Sequence, residues 1–370
     1  MGKRSRRESD MGFSPPGGGA LRTDLALEAH QAVQHGIGRP IPGVVSEVAE
    51  TEWGSITRAT VSTPQAARAL GKSIGTYVTI EAPDLPARDK TLSEEVAEAL
   101  AGELVAMIIR NFGGADYRTA PNFTTLVCGL GNWNATPDAV GPMVAEKVLV
   151  TRHIHSMTPP EKRGGLRAVA ALSPGVLGTT GIETAEIIAG VVERLKPDLI
   201  IVADALAARS VSRLGTTIQL GDSGIQPGSG VGNRRFGITR DSMGVPVIAV
   251  GVPTVVHAMT IVQDALGIMG RAASGAGAPG VAGALNSGPQ GDGAGARPVG
   301  PGPMGAAVEP GEPPLPQAVQ QMLQPYLGSL IVTPKEVDVL SEELAEVVAG
   351  GINLALHPAI DEEEIYQYLQ

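Results

Sequence analysis

Apolar and polar positions alternate along the chain in two periods. Short apolar runs at Tyr77-Val-Thr-Ile80, Thr124–Cys128, Leu199–Ala203, Thr216–Leu220, Val245–Val250 and Leu330–Val332 predict strands. Helical spacing appears at Ile187, Ile188, Val191, Val192 and Leu195, and again at Leu340, Leu344, Val347, Val348 and Ile352. Thr333-Pro334-Lys-Glu336 reads as a capping box with Pro at the first helical position, so a helix is expected to start there. Thr254 is read as the cap of a helix over 255–267. Apolar strands alternating with helices predict an α/β domain with a mostly parallel sheet and helices on both faces.

Two segments break this pattern. Residues 1–20 are basic and then rich in Pro and Gly, and regular sequence begins near Leu21. Residues 271–316 are rich in Gly, Ala and Pro and hold no aromatic residue. Such a segment buries too little apolar surface to offset its ordering entropy. It is expected to be a flexible insertion in a surface loop, which a folded domain tolerates because closure entropy grows slowly with length.

Composition narrows the functional classes. The 370 residues carry a formal charge of −10, and only 3% are aromatic against 43% hydrophobic. The core must therefore be aliphatic. A surface of that sign repels phosphates, and few aromatics means few stacking platforms, so direct nucleic-acid binding is not expected. No apolar stretch is long enough for a membrane span. The basic start lacks the apolar segment of a secretory signal, and Arg6 breaks the myristoylation pattern. A cytoplasmic protein is expected. The single cysteine, Cys128, sits in an apolar run and reads as a small core residue.

Ligands of open α/β sheets sit beyond the carboxyl ends of the strands. Three acids pass that filter: Asp138, Asp204 and Asp222. Asp138 also fits a structural role, since Thr136-Pro137-Asp138 resembles an N-cap followed by Pro and a first-turn acid. Asp204 abuts five apolar strand residues, an expensive place for an acid unless it is solvated, paired or part of a site. Two converging acids would split their pKa values, one staying protonated while the other activates water. Other motifs are weaker. Pro227–Asn233 is a Gly-rich loop without the ending of a P-loop. His153 and His155 could present two metal ligands from a strand, though a surface strand is the simpler reading. Gly221-Asp-Ser-Gly224 lacks the disulfide-stapled β-barrel in which that motif serves catalysis.

Several blocks together resemble the germination protease family: Leu21-Arg-Thr-Asp-Leu-Ala-Leu-Glu-Ala-His30, Gly75–Pro83, Gly129-Leu-Gly-Asn-Trp-Asn-Ala-Thr-Pro-Asp138, Ser173–Thr184, Asp204–Ser210, Pro227–Asn233, Gly251-Val-Pro-Thr254, Val332–Val337 and Ala355-Leu-His-Pro358. The resemblance covers about 21–268 and 328–362. It implies an atypical aspartic endopeptidase, with a core similar to that of hydrogenase-maturation proteases, that starts the degradation of small acid-soluble spore proteins inside the spore. It places the two essential carboxylates on Asp138 and Asp204, with neither metal nor cofactor. It further implies a zymogen that removes residues 1–24 by cutting between Asp24 and Leu25, leaving 25–370 as the peptidase domain, and a homo-oligomer such as a tetramer. A longer, Gly/Pro-rich precursor segment and the 271–316 insertion depart from the family pattern. Competing readings are a metal-dependent maturation-type protease and a non-enzymatic phosphate- or nucleotide-binding module using Gly228–Gly232.

Overall fold

The structure is a computed structural model, and it describes residues 25–28, 41–120, 122–159, 163, 166–226, 236–273, 317–328 and 330–358. Residues 1–24, the Gly228–Gly232 loop and residues 274–316 lie outside these. Of the expected insertion, only 271–273 are described, and they are helical.

Among the described residues, nine strands form one sheet: β1 (Val44–Thr51), β2 (Gly54–Val61), β3 (Gly75–Glu81), β4 (Thr124–Gly129), β5 (Ala168–Leu172), β6 (Leu199–Ala208), β7 (Thr217–Gly221), β8 (Val247–His257) and β9 (Ile331–Val332). Their order is β1-β2-β3-β7-β8-β6-β4-β5, with β9 paired to β8. The expected α/β architecture stands. The sheet is nevertheless mixed, and the expectation of a mostly parallel one is corrected. Only β5-β4-β6-β8 run parallel, whereas β7, β3, β2 and β1 continue the sheet with antiparallel pairings. The hairpin β1–β2 is half exposed and weakly patterned, which is why its residues gave no clear strand signal.

Helices cover both faces of the parallel half, because alternate residues of each strand are buried on opposite sides. Val127, Leu199, Ile201 and Ala203 pack in one cluster with Leu100 and Leu104 of α2 (Lys90–Asn111), Val144 of α3 (Val140–Lys147) and Leu344 and Val348 of α10 (Val337–Leu356). Leu126, Cys128, Ile200 and Val202 pack on the other side with Ile188 and Val192 of α6 (Thr184–Leu195) and Met243 of α7 (Arg240–Met243). Among the described residues the other helices are α1 (Pro64–Leu70), α4 (Arg152–Met157), α5 (Leu177–Thr180), α8 (Ala258–Ala273) and α9 (Gln317–Leu327), and residues 26–28 are also helical.

Two expected helix starts move. β8 runs on through Thr254 to His257, and α8 begins only at Ala258. Leu206 pairs with Pro253 and Ala207 with Val255, so Thr254 is the extra residue of a β-bulge. A bulge is where a strand tolerates Pro253. Helix α10 begins at Val337 rather than beside Thr333, and Glu336 at its start makes no side-chain cap. The Thr333 hydroxyl instead donates to the carbonyl of Thr254 at 2.9 Å.

Candidate active site

The parallel strands bring their carboxyl ends to one edge. β4 stops at Gly129, opposite Ala203 of β6. Leu130 N–H then donates to Ala203 O at 2.8 Å, which holds the outgoing loop against β6. Helix α3 starts directly above, and it can do so only because residue 141 is glycine. A Cβ there would collide with Leu130 O and come within 2.5 Å of Ala203 O.

The loop between β4 and α3 carries Asp138 at the end of a 3-10 turn, Thr136–Asp138. The turn packs on β6, β8 and α10. Asn132 N–H donates to Asp138 Oδ2 at 2.9 Å, which orients the half-buried carboxylate. Gly131 passes so close that a Cβ would strike the Asp138 carbonyl, and its φ of 121° suits glycine. The alternative reading of Thr136 as a side-chain cap is corrected. Neither the turn nor α3 has a side-chain cap, and Ala135 rather than Thr136 stands at the cap of the 3-10 turn, while Pro137 and Asp138 do fall in its first turn as expected.

Asp204 lies within β6, one residue past the level at which β4 ends. It is 8% exposed, and its Oδ1 accepts from the Ala205 N–H at 3.0 Å. Leu199, Ile201 and Ala203 fill the α2/α10 side of the sheet, so alternation turns Asp204 to the opposite face, shared with Leu206. Backbone register places Asp204 opposite Gly251 of β8, and Gly251 opposite Gln219 of β7. The three residues form one row across the sheet.

Asp222 is corrected. β7 is antiparallel to β8, so its carboxyl end reaches the other edge of the sheet, away from Asp138 and Asp204. There Asp222 Oδ1 accepts from Thr76 N–H at 2.7 Å, and burial raises its pKa.

The chain's own Leu25–Glu28 lies over the face that Asp204 shares. Leu25 is fully buried in a cluster with Leu206, Ala208, Leu214 and Val256. Ala26 N–H donates to the side-chain oxygen of Gln219, and its methyl packs with Val61, Ala66 and Tyr77. Glu28, 4% exposed, accepts from Arg209 N–H at 2.8 Å and Ser210 N–H at 3.1 Å, and lies 3.3 Å from the Arg213 guanidinium. Asp24 is outside the described residues.

Sequence reading missed Thr254 as a support of this site. Its buried hydroxyl donates to Pro137 O at 2.6 Å and so ties the β8 bulge to the Asp138 turn. The available signal was a Pro inside an apolar run, which marks a bulge.

Cys128 is fully buried, and burial pushes its thiol up to about 12, as expected of a core residue. His153 and His155 lie on helix α4, not on a strand, and His155 Nε2 is 2.6 Å from Leu166 O. Among the described residues no three His, Cys, Asp or Glu side chains gather closely enough to hold a metal ion. No helix among them is long and apolar enough to cross a membrane.

With this geometry in hand, comparison with known proteins defines the class. The family model described as germination protease matches residues 23–273 and 304–369, which makes the chain a protease built on an α/β core. It belongs to the germination protease family. It is 43% identical over 349 residues to the germination protease of Caldanaerobacter subterraneus, covering 94% of this chain and 98% of that one. It is 40% identical over 356 residues to that of Clostridium tetani, covering 95% and 99%. Among solved structures, the NiFe hydrogenase maturation protease of Thermococcus kodakarensis covers 40% of this chain and 80% of its own at 21% identity, with a TM-score of 0.26.

Proposed function

We propose that this protease is an endopeptidase that starts the breakdown of small acid-soluble spore proteins in the spore interior. In this reading it is made as a zymogen, cuts itself between Asp24 and Leu25, uses Asp138 and Asp204 as its catalytic pair, and works as a homo-oligomer. The observation that carries the reading is the seat of Leu25. The residue that would follow the cut is buried against Leu206 and Ala208, on the same strand face as Asp204.

The chemistry follows from two carboxyl groups with different protonation. One carboxylate takes a proton from water as its oxygen attacks the scissile carbonyl carbon. The other, protonated, polarises that carbonyl and then gives its proton to the departing amine of Leu25 as the C–N bond breaks. The water ends as the second oxygen of the new Asp24 carboxylate. The two acids enter by different routes, Asp138 from a loop tied to β8 and Asp204 from a buried strand, and this offers them the unlike surroundings such a division needs.

The test is intact mass over time at mildly acidic pH for wild type, Asp138→Asn and Asp204→Asn. Loss of residues 1–24 by wild type alone supports the reading. Equal loss in all three assigns the cut elsewhere. If none is processed, cleavage of an added small acid-soluble spore protein by the chain starting at Leu25 decides.

A further inference from the structure

The four residues Leu25–Glu28 are held by more than their apolar contacts. Leu25 is buried with Leu206 and Ala208. Ala26 offers its N–H to Gln219, in a cluster made tight by Ala66 and Tyr77. Glu28 is enclosed by two backbone amides and by Arg213, whose side chain is itself only 12% exposed. Arg213 is fixed in turn by Glu81, 2.7 Å away. A carboxylate is almost never buried without such partners.

The sheet prepares this groove. Ile218 and Leu220 point into the α2/α10 core, so Gln219 points to the face where Leu25 lies. Gln219 and Asp204 stand in one row with only Gly251 between them. The Leu206 side chain lies over Gly251, where a Cβ would strike it, and Leu25 packs on that side chain.

We propose that Gln219 and Arg213 are specificity-determining residues. Gln219 reads the backbone N–H of the second residue after the cut, and Arg213 with the Arg209 and Ser210 amides reads an acid at the fourth. The chain's own Leu25–Glu28 fills these positions as a tethered occupant, which an incoming peptide of apolar–Ala–any–acid pattern must displace. This rests on the cut between Asp24 and Leu25 proposed above. It predicts that removing the buried charge of Glu28 loosens the occupant and opens the groove, whereas removing the matching charge from a free peptide weakens that peptide.

The experiment reads binding, not cleavage, so it stands apart from the roles of Asp138 and Asp204. The probe is a C-terminally labelled hexapeptide with the sequence of residues 25–30, followed by fluorescence anisotropy on the full chain. Glu28→Gln is expected to bind it about tenfold more tightly than wild type does, in line with loss of a charge-assisted hydrogen bond. On that variant, Gln in place of the peptide's Glu is expected to lose about tenfold. An N-methyl on the peptide's Ala is expected to cost about fivefold on the protein that keeps Gln219 and little on Glu28→Gln/Gln219→Ala. In cleavage of the corresponding longer peptide, Gln219→Ala raises KM and leaves kcat nearly unchanged. If Glu28→Gln does not keep a cooperative melt, Leu25→Ala takes its place and binding is read the same way. Equal peptide affinity in wild type and the loosened variant, or binding by neither, overturns the proposal and makes Leu25–Glu28 a structural plug.

Discussion

The hydroxyl of Thr254 donates a 2.6 Å hydrogen bond to the carbonyl of Pro137, joining residues 117 positions apart in the chain. The bond runs from a bulge in the central strand β8 to the turn that carries Asp138. Through its own carbonyl, Thr254 also receives the Thr333 hydroxyl, so β8, the Asp138 turn and the approach to α10 meet at one residue.

This relationship predicts the effect of Thr254→Val. The isosteric change removes the donor and strands the Pro137 carbonyl. A stability loss of about 1 kcal/mol is expected. Self-processing should fall more than stability, by roughly tenfold to a hundredfold, because displacing a reacting group by about 1 Å can cost that much. Thr254→Ser keeps the hydroxyl and should recover most of the rate. Intact-mass time courses beside thermal melts check both. A rate that follows stability alone would make Thr254 a packing residue.

The proposed pairing of Asp138 with Asp204 makes a separate prediction about additivity. Each of Asp138→Asn and Asp204→Asn should slow processing by at least about a hundredfold. The double variant should be little worse than either, because groups that act as a unit are strongly non-additive. Rate losses that multiply would mean that the two acids act independently. Single-turnover processing of the three variants supplies the comparison.

Glycine substitutions separate close approach from ordinary helix positions. Gly141→Ala puts a methyl into Leu130 O and Ala203 O, both backbone atoms that cannot swing aside. It should unfold the site or lower stability by several kcal/mol, on the order of 2–4. Gly102 in α2 and Gly190 in α6 face open space. Ala at either should raise stability by about 0.5–1 kcal/mol. Chemical denaturation of the three variants tests the contrast.

Acid sensitivity should be traceable to His357. The imidazole is fully buried, accepts from Arg167 N–H at 3.3 Å and lies 3.2 Å from Leu149 O. Burial, with smaller contributions from His155 and Arg167, lowers its pKa to about 4. The unfolded chain therefore binds this proton at higher pH than the folded one. Stability from the neutral ring is complete above about pH 6.5 and is lost as pH falls towards 4, by about 3 kcal/mol in all. Below pH 4 both states are protonated and the loss stops growing. Melting temperature against pH for wild type and His357→Gln checks this. The variant should start lower and show a flatter slope between pH 6.5 and 4.

The parallel half of the fold was legible because its evidence is local. Thr124–Cys128 and Leu199–Ala203 are continuous apolar runs, as strands covered on both faces require, and they became β4 and β6. Asp204 stood out for the same reason, since an acid closing such a run demands an explanation. The family blocks could likewise be read without coordinates. Tertiary structure decided what depends on distant partners. The orientation of β7 sends Asp222 to the edge opposite Asp204, although both acids follow apolar runs. Thr254 and Thr333 have the local pattern of helix caps, yet their hydroxyls bond carbonyls 117 and 79 residues away. A hydroxyl takes whichever acceptor the fold brings within about 3 Å, and a strand pairs with whichever neighbour lies beside it. The sequence by itself therefore determined which residues must be buried and which acids need explaining. Only the packed sheet determined which of those acids share an edge, and it laid Leu25–Glu28 beside one of them.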